Sequence, residues 1–154
     1  MVRLAVTGAA GRMGREVLAA DADRDDGEVV LAVSRSPVPA PISGRNIESA
    51  DEFGALLADR EPDIVVDFTW PDSAVDYATV RGQYSICFVT GTTVFDEIEH
   101  AALETASEST AVLKASNFSL VVDALWLAVR EASVAIPVAD RSLCASLCHA
   151  NTDD

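Results

Sequence analysis

The stretch VTGAAGRMGREV, Val6 to Val17, sets Gly8, Gly11 and Gly14 between an apolar run and a run of helix formers. Each glycine has a use if an anion binds here. Gly8 permits a tight turn, Gly11 lets the backbone approach a pyrophosphate, and Gly14 permits close helix–strand packing. The N–H groups and the positive dipole end of the following helix would then face the anion. The spacing is G-x-x-G-x-x-G, with Ala10 where the commoner dinucleotide fingerprint has its second glycine. The turn therefore reads either as a phosphate cradle or as a plain strand-to-helix corner, and its strand-before, helix-after setting favours the cradle. The second apolar strand ends Ser34–Arg35, without the Asp or Glu that accepts a ribose hydroxyl of NAD. An arginine there suits a 2′-phosphate, which favours NADPH and leaves NADH possible; the alternative is a solvated loop charge.

The elements that would position these residues alternate along the chain. VRLAVT leads into a helix near Arg12–Ala22, and EVVLAVS leads into the Pro-rich loop RSPVPAPISGRN. A short helix around Ala50–Asp59 precedes the strand DIVVDF, which starts at Pro62. PDSAVDYATVRG reads as a helix with Pro71 in its first turn and Gly82 just past its end. SICFVT is the next strand, with Cys87 read as buried. FDEIEHAALETASES is an amphipathic helix with acids in its first turn, TAVLKAS a fifth strand, and SLVVDALWLAVREA a largely apolar helix. Continuous apolar strands alternating with helices predict an α/β fold: a doubly wound, Rossmann-like parallel sheet covered on both faces. In such sheets ligands sit at the carboxyl ends of the strands. Residues 1–131 form the expected NAD(P)-binding domain, and residues 132–154 read as an irregular tail.

Charge excludes several classes of partner. Asp plus Glu number 25 against 11 Lys plus Arg, for a net charge of −14, and Lys114 is the single lysine. Nucleic acid or an anionic membrane would meet a repelling surface, so neither is an expected partner. Acids dispersed along the chain with almost no lysine suit a salt-loaded, halophilic cytoplasm, where screening weakens self-repulsion. No run is apolar enough to span a membrane, and MVRLAV reads as a strand, not a secretory leader; a cytoplasmic protein is expected. Cys87, Cys144 and Cys148 are too scattered for a disulfide framework. CASLCH has metal-like spacing but lacks further ligands, so no metal is expected.

Three further loops follow strand ends: DFTWPDS (Asp67–Ser73), VTGTTVFDE (Val89–Glu97) and KASNFS (Lys114–Ser119). Together with GAAGRMGRE they resemble, in order and spacing, the G-x-x-G-R-M-G, D-F-T-x-P, G-T-T-G-F and A-x-N-F-S motifs of the 4-hydroxy-tetrahydrodipicolinate reductases. Val94 stands where the third motif usually has Gly. The resemblance implies an NAD(P)H-dependent reductase of the diaminopimelate route to lysine. It puts cofactor contacts at Gly8, Ala9, Ala10, Gly11, Arg12 and Met13, and at Arg35. Further contacts fall on Gly91, Thr92 and Thr93, and on Ala115, Ser116, Asn117 and Phe118. On this reading Gly91 leaves room for the nicotinamide ribose, Thr92 and Thr93 offer hydroxyls, and Asn117 bonds the carboxamide. Asn117 or Ser119 could instead only cap the next helix.

The resemblance also implies a second domain that binds a small dicarboxylate and carries E-x-H-H and K-x-D-A-P-S-G-T segments. Neither segment occurs in this sequence. Its histidines are His100, in an acidic helix, and His149; Lys114 does not match the lysine motif and reads as peripheral. No catalytic residue is therefore assigned. The family's tetramer, built largely through that domain, is not expected, and the apolar helix with Leu120, Leu125 and Trp126 would lose cover. The expectation is a chain that lacks the substrate domain and is inactive by itself; the alternative is a truncated NADPH-binding module or non-functional fragment.

Overall fold

The computed structural model describes residues 1–21 and 27–119. The chain divides into two compact units, Met1–Ser116 and Asn117–Asp154. The apolar helix from Leu120, the tail and the CASLCH segment lie outside the described residues.

The first unit is a parallel sheet of six strands: β1 (Val2–Thr7), β2 (Gly27–Ser34), β3 (Glu48–Ser49), β4 (Ile64–Asp67), β5 (Cys87–Thr90) and β6 (Val112–Lys114). Their order is β3-β2-β1-β4-β5-β6, with every neighbouring pair parallel. This is the doubly wound arrangement expected from the alternating pattern, and its order reverses between β1 and β4. The two-residue β3 is an addition to the five strands read from the sequence. It is too short to show a period and exists through its pairing with Val33 and Ser34.

Helix α1 (Arg12–Asp21) covers one face, where Val6, Ala9, Leu18, Val29, Ala32 and Ile42 form a small core. The other face is covered by α2 (Phe53–Arg60), α3 (Pro71–Gly82) and α4 (Glu97–Ser107). Its larger core includes Ala5, Leu31, Val33, Phe53, Leu57, Val65, Tyr77 and Phe88. A register shift between Leu4 and Ala5 leaves Val30 as an extra residue on β2. Val29 and Ala32 consequently serve the small core while Leu31 and Val33 serve the large one, which a strict alternation would forbid.

Local chemistry sets the helix ends. Glu61, at φ 43°, terminates α2 just before Pro62. Pro71 sits in the first turn of α3, where its missing N–H costs nothing. Asp96 and Glu99 form a reciprocal capping box on α4. Two readings are corrected. Gly82 is the last residue of α3, not the residue beyond it, and the chain reverses afterwards at Ser85, φ 56°. Cys87 is only half-buried, because it opens a short strand near the edge of the sheet.

Arg81 is fully buried in the large core. Its guanidinium donates to the carbonyls of Ala78 (3.1 Å), Ile86 (2.5 Å), Ala111 (3.3 Å) and Ala106 (3.3 Å), and it lies over the Phe88 ring. One side chain thus ties α3 to the end of α4 and to the segments that enter β5 and β6. Burial pushes the guanidinium below its ordinary pKa, with Cys87 opposing that shift. Arg81→Met keeps much of the packing but leaves several carbonyls without donors. It is expected to cost about 3 kcal/mol in urea unfolding.

Val94 is 81% exposed and adopts φ 62°, a conformation costly for a β-branched side chain. This strain explains why glycine suits the position. Val94→Gly is expected to stabilise the chain by about 1 kcal/mol, read as a higher urea midpoint.

Candidate functional site

The glycine turn leaves β1 at the point where the sheet order reverses. Ala9 N donates to Val33 O (3.1 Å) and Gly11 N to Gly8 O (2.9 Å), which fastens the turn to β2 and to itself. Gly8 is at φ 70°, and a Cβ there would stand 2.5 Å from Phe68 O. A Cβ on Gly14 would stand 2.2 Å from Gly8 O, so this glycine is what lets α1 pack against the turn. Gly11 differs. It is exposed, and a Cβ there would meet only Gly8 O at 3.1 Å within 4 Å. Its open side leaves space for a ligand above the first turn of α1, whose N–H groups have no intrahelical partner. Ala9 is buried and Ala10 half-buried, while Arg12 and Met13 are exposed on that first turn.

Beside the turn, Asp67 is fully buried with four threonine hydroxyls within hydrogen-bond distance, and the Thr92 hydroxyl shares its proton with Thr69 O, also at 2.8 Å. Thr7 Oγ1 (2.7 Å) and Thr69 Oγ1 (2.6 Å) donate to Oδ1; Thr90 Oγ1 (2.7 Å) and Thr92 Oγ1 (2.8 Å) reach Oδ2. Thr7, Asp67 and Thr90 are register partners at the ends of β1, β4 and β5, so they form one row across the top of the large core. Thr92 Oγ1 also accepts from Thr69 N (3.1 Å), and Gly91 N donates to the Asp67 carbonyl (2.9 Å). The 68–70 loop and the 91–93 loop are thereby locked together, and Gly8 packs directly on the first.

The consequence for Thr92 is specific. Thr92 is 5% exposed and its hydroxyl is engaged by Asp67 and Thr69, so its polar contribution is internal. Thr93 is exposed and Gly91 half-buried beside it. Ala115 N donates to Thr90 O (3.1 Å), which places Ala115 and the exposed Ser116 next to the 91–93 loop. In the second unit, Asn117 folds onto its neighbour: Ser119 N donates to Asn117 Oδ1 (3.0 Å) and Asn117 Nδ2 to Ser119 O (3.2 Å). Phe118 is exposed.

Arg35 leaves the end of β2 and pairs with Asp72 (3.6 Å), in the first turn of α3. A cavity of about 240 Å³ lies beside them, lined by Arg35, Ala50, Asp51, Phe53, Gly54, Ser73, Asp76, Tyr77 and Val80. Burial raises the Tyr77 phenol above its ordinary pKa; Arg35 opposes the shift, and Asp67 and Asp76 add to it. Trp70, 71% exposed, stands in the loop between β4 and α3.

Sequence reasoning passed over Asp67, Thr7, Thr90 and Asp72. A signal for the first three was present: V-T-G occurs at Val6–Gly8 and again at Val89–Gly91, each ending an apolar strand, and Asp67 ends another. The exposed His100 lies with Nε2 2.9 Å from Lys114 Nζ, and both rest against Phe95. Among the described residues no cluster of His, Cys, Asp and Glu could hold a metal ion. Nor is any helix there long and apolar enough to cross a membrane.

Known proteins share this chain's sequence pattern and fold. The 4-hydroxy-tetrahydrodipicolinate reductase of Natronomonas pharaonis is 39% identical over 142 residues, which take in 92% of this chain and 55% of that protein. The enzyme of the same name from Bartonella quintana is 30% identical over 146 residues, covering 90% of this chain and 54% of its own. The chain thus spans about half the length of the curated relatives it matches. A dipicolinate-bound dihydrodipicolinate reductase from Paenisporosarcina sp. TG-14 shares the fold, with a TM-score of 0.64 at 22% identity over 88% of this chain and 53% of that one. Residues 2–118 match the family described as dihydrodipicolinate reductase, N-terminus, and the chain belongs to that family.

Proposed function

We propose that this chain is the dinucleotide-binding part of a 4-hydroxy-tetrahydrodipicolinate reductase, holding NADPH, and NADH as well, in the diaminopimelate route to lysine. The observation that carries the reading is the open Gly11 face above the first turn of α1, at the reversal of sheet order. The backbone of Gly8, Ala9, Ala10, Gly11, Arg12 and Met13 receives the pyrophosphate, and Arg35 borders the adenosine ribose. Gly91 and Thr93 border the nicotinamide half, with Ala115 and Ser116 behind them. When bound, the reduced nicotinamide supplies the hydride.

The residues of this site bind and orient the dinucleotide. Reducing a dicarboxylate also needs a clamp for the substrate and a proton donor within hydrogen-bond reach. Among the described residues the only His and Lys are His100 and Lys114, and they contact each other and Phe95. Dinucleotide binding is the behaviour expected of the 154-residue chain.

Calorimetric titration with NADPH tests the reading. Saturable binding is expected, and Gly11→Asp should weaken it more than tenfold, since a carboxylate would occupy the anion's place. The unfolding midpoint of that variant should fall only modestly, because Gly11 is exposed and its Cβ would press on a single atom, Gly8 O at 3.1 Å. Absence of NADPH binding in the wild type would refute the proposal.

Asp67→Asn separates support of the site from contact with the ligand. An amide cannot accept all four hydroxyls, so a loss of about 3 kcal/mol in unfolding is expected. NADPH affinity measured well below the unfolding transition should fall with it, because the 68–70 and 91–93 loops lose their common anchor. Unchanged stability would show that the hydroxyl row is dispensable.

A further inference from the structure

Strand β2 ends without an acid, yet a carboxylate stands beside it. Asp72 comes from the far side of β1, and its Oδ2 lies 3.6 Å from Arg35 Nη1. Its Oδ1 accepts from Ser73 N (2.7 Å) and Ser73 Oγ (3.2 Å), so its own helix anchors the group while the other oxygen faces Arg35. The side chains are 55% and 70% exposed, so the pair is weak by itself and opens readily to a ligand. Asp51 and Asp76 line the adjoining cavity with Arg35, which leaves that arginine among acids.

A ribose 2′-hydroxyl is best met by an acceptor, whereas a 2′-phosphate must be met by donors. Arg35 alone favours the phosphate, whose charge it pairs with. Arg35 with Asp72 serves both. Resting on the dinucleotide reading above, we propose that Asp72 is a specificity-determining residue that substitutes for the acid absent from the end of β2. It accepts the 2′-hydroxyl of NADH, and it opposes the 2′-phosphate that Arg35 attracts.

The test is calorimetric titration of the 154-residue chain with NADH and with NADPH, in the wild type, Asp72→Asn and Arg35→Gln. Asp72→Asn keeps the side chain's size and removes its charge. The ratio of NADPH to NADH affinity should rise about tenfold, the size of one charge-assisted hydrogen bond near solvent. Arg35→Gln should move the ratio the other way by a similar factor. Both positions are exposed, and urea midpoints near that of the wild type would confirm that the variants fold. An Asp72→Asn ratio within about twofold of the wild-type value, with both coenzymes still bound, overturns this inference alone. A wild-type chain that binds neither coenzyme overturns this inference and the dinucleotide reading together.

Discussion

A carboxylate buried at the carboxyl edge of a parallel sheet must be compensated, because desolvating the charge costs far more than burying an apolar group of equal size. Asp67 is compensated by hydroxyls and by no cation among its described partners. That choice has structural consequences. A single arginine would fix Asp67 to one neighbour, whereas Thr7, Thr69, Thr90 and Thr92 fix it to two neighbouring strands and two loops at once. The loops that would embrace a dinucleotide are therefore held by strand register and not by their own weak preferences. Gly8 completes the arrangement, since only a residue without Cβ can lie against the Phe68 carbonyl.

Arg81 applies the same principle lower in the layer. It is a buried cation satisfied by carbonyls, just as Asp67 is a buried anion satisfied by hydroxyls. Each polar group fixes the places where several chain segments meet, a task that apolar contacts perform with less geometric specificity. Phe88 and Tyr77 belong to the large core and fill it without dictating register. The upper row shapes the loops, and the lower anchor holds the helices that support them.

The sequence conveyed what local pattern encodes. Long apolar strands, Pro71 at a helix start, the acids at the start of α4 and the glycine turn all carry their signals within a few residues. What it concealed depends on distant neighbours. Strand β3 exists because Val33 and Ser34 offer it a partner, and no two-residue run announces that. The extra residue at Val30 is visible only as two cores drawing on one strand out of phase. Cys87 looks buried by composition, but nearness to the sheet edge decides its exposure. At the site, the V-T-G repeats marked the ends of two strands. Their convergence on Asp67 required the order β1-β4-β5, which alternation alone does not specify. Thr92 was legible as a hydroxyl near the ligand, whereas its engagement by Asp67 was not.

The division of labour in the site follows from the same distinction between register-held and exposed groups. The pyrophosphate would be met by backbone that the sheet fixes, so affinity for the common part of any dinucleotide is built into the fold. The ribose end would be met by Arg35 and Asp72, two exposed side chains on separate elements that can rearrange without disturbing either core. On the proposed reading, binding the shared scaffold and choosing the coenzyme would fall on separate parts of the chain. A substitution at the ribose end can alter the choice while leaving the anchor of the loops intact. By contrast, a change at Asp67 acts on both, because the loops on the two sides of the turn depend on the single row of hydroxyls above the core.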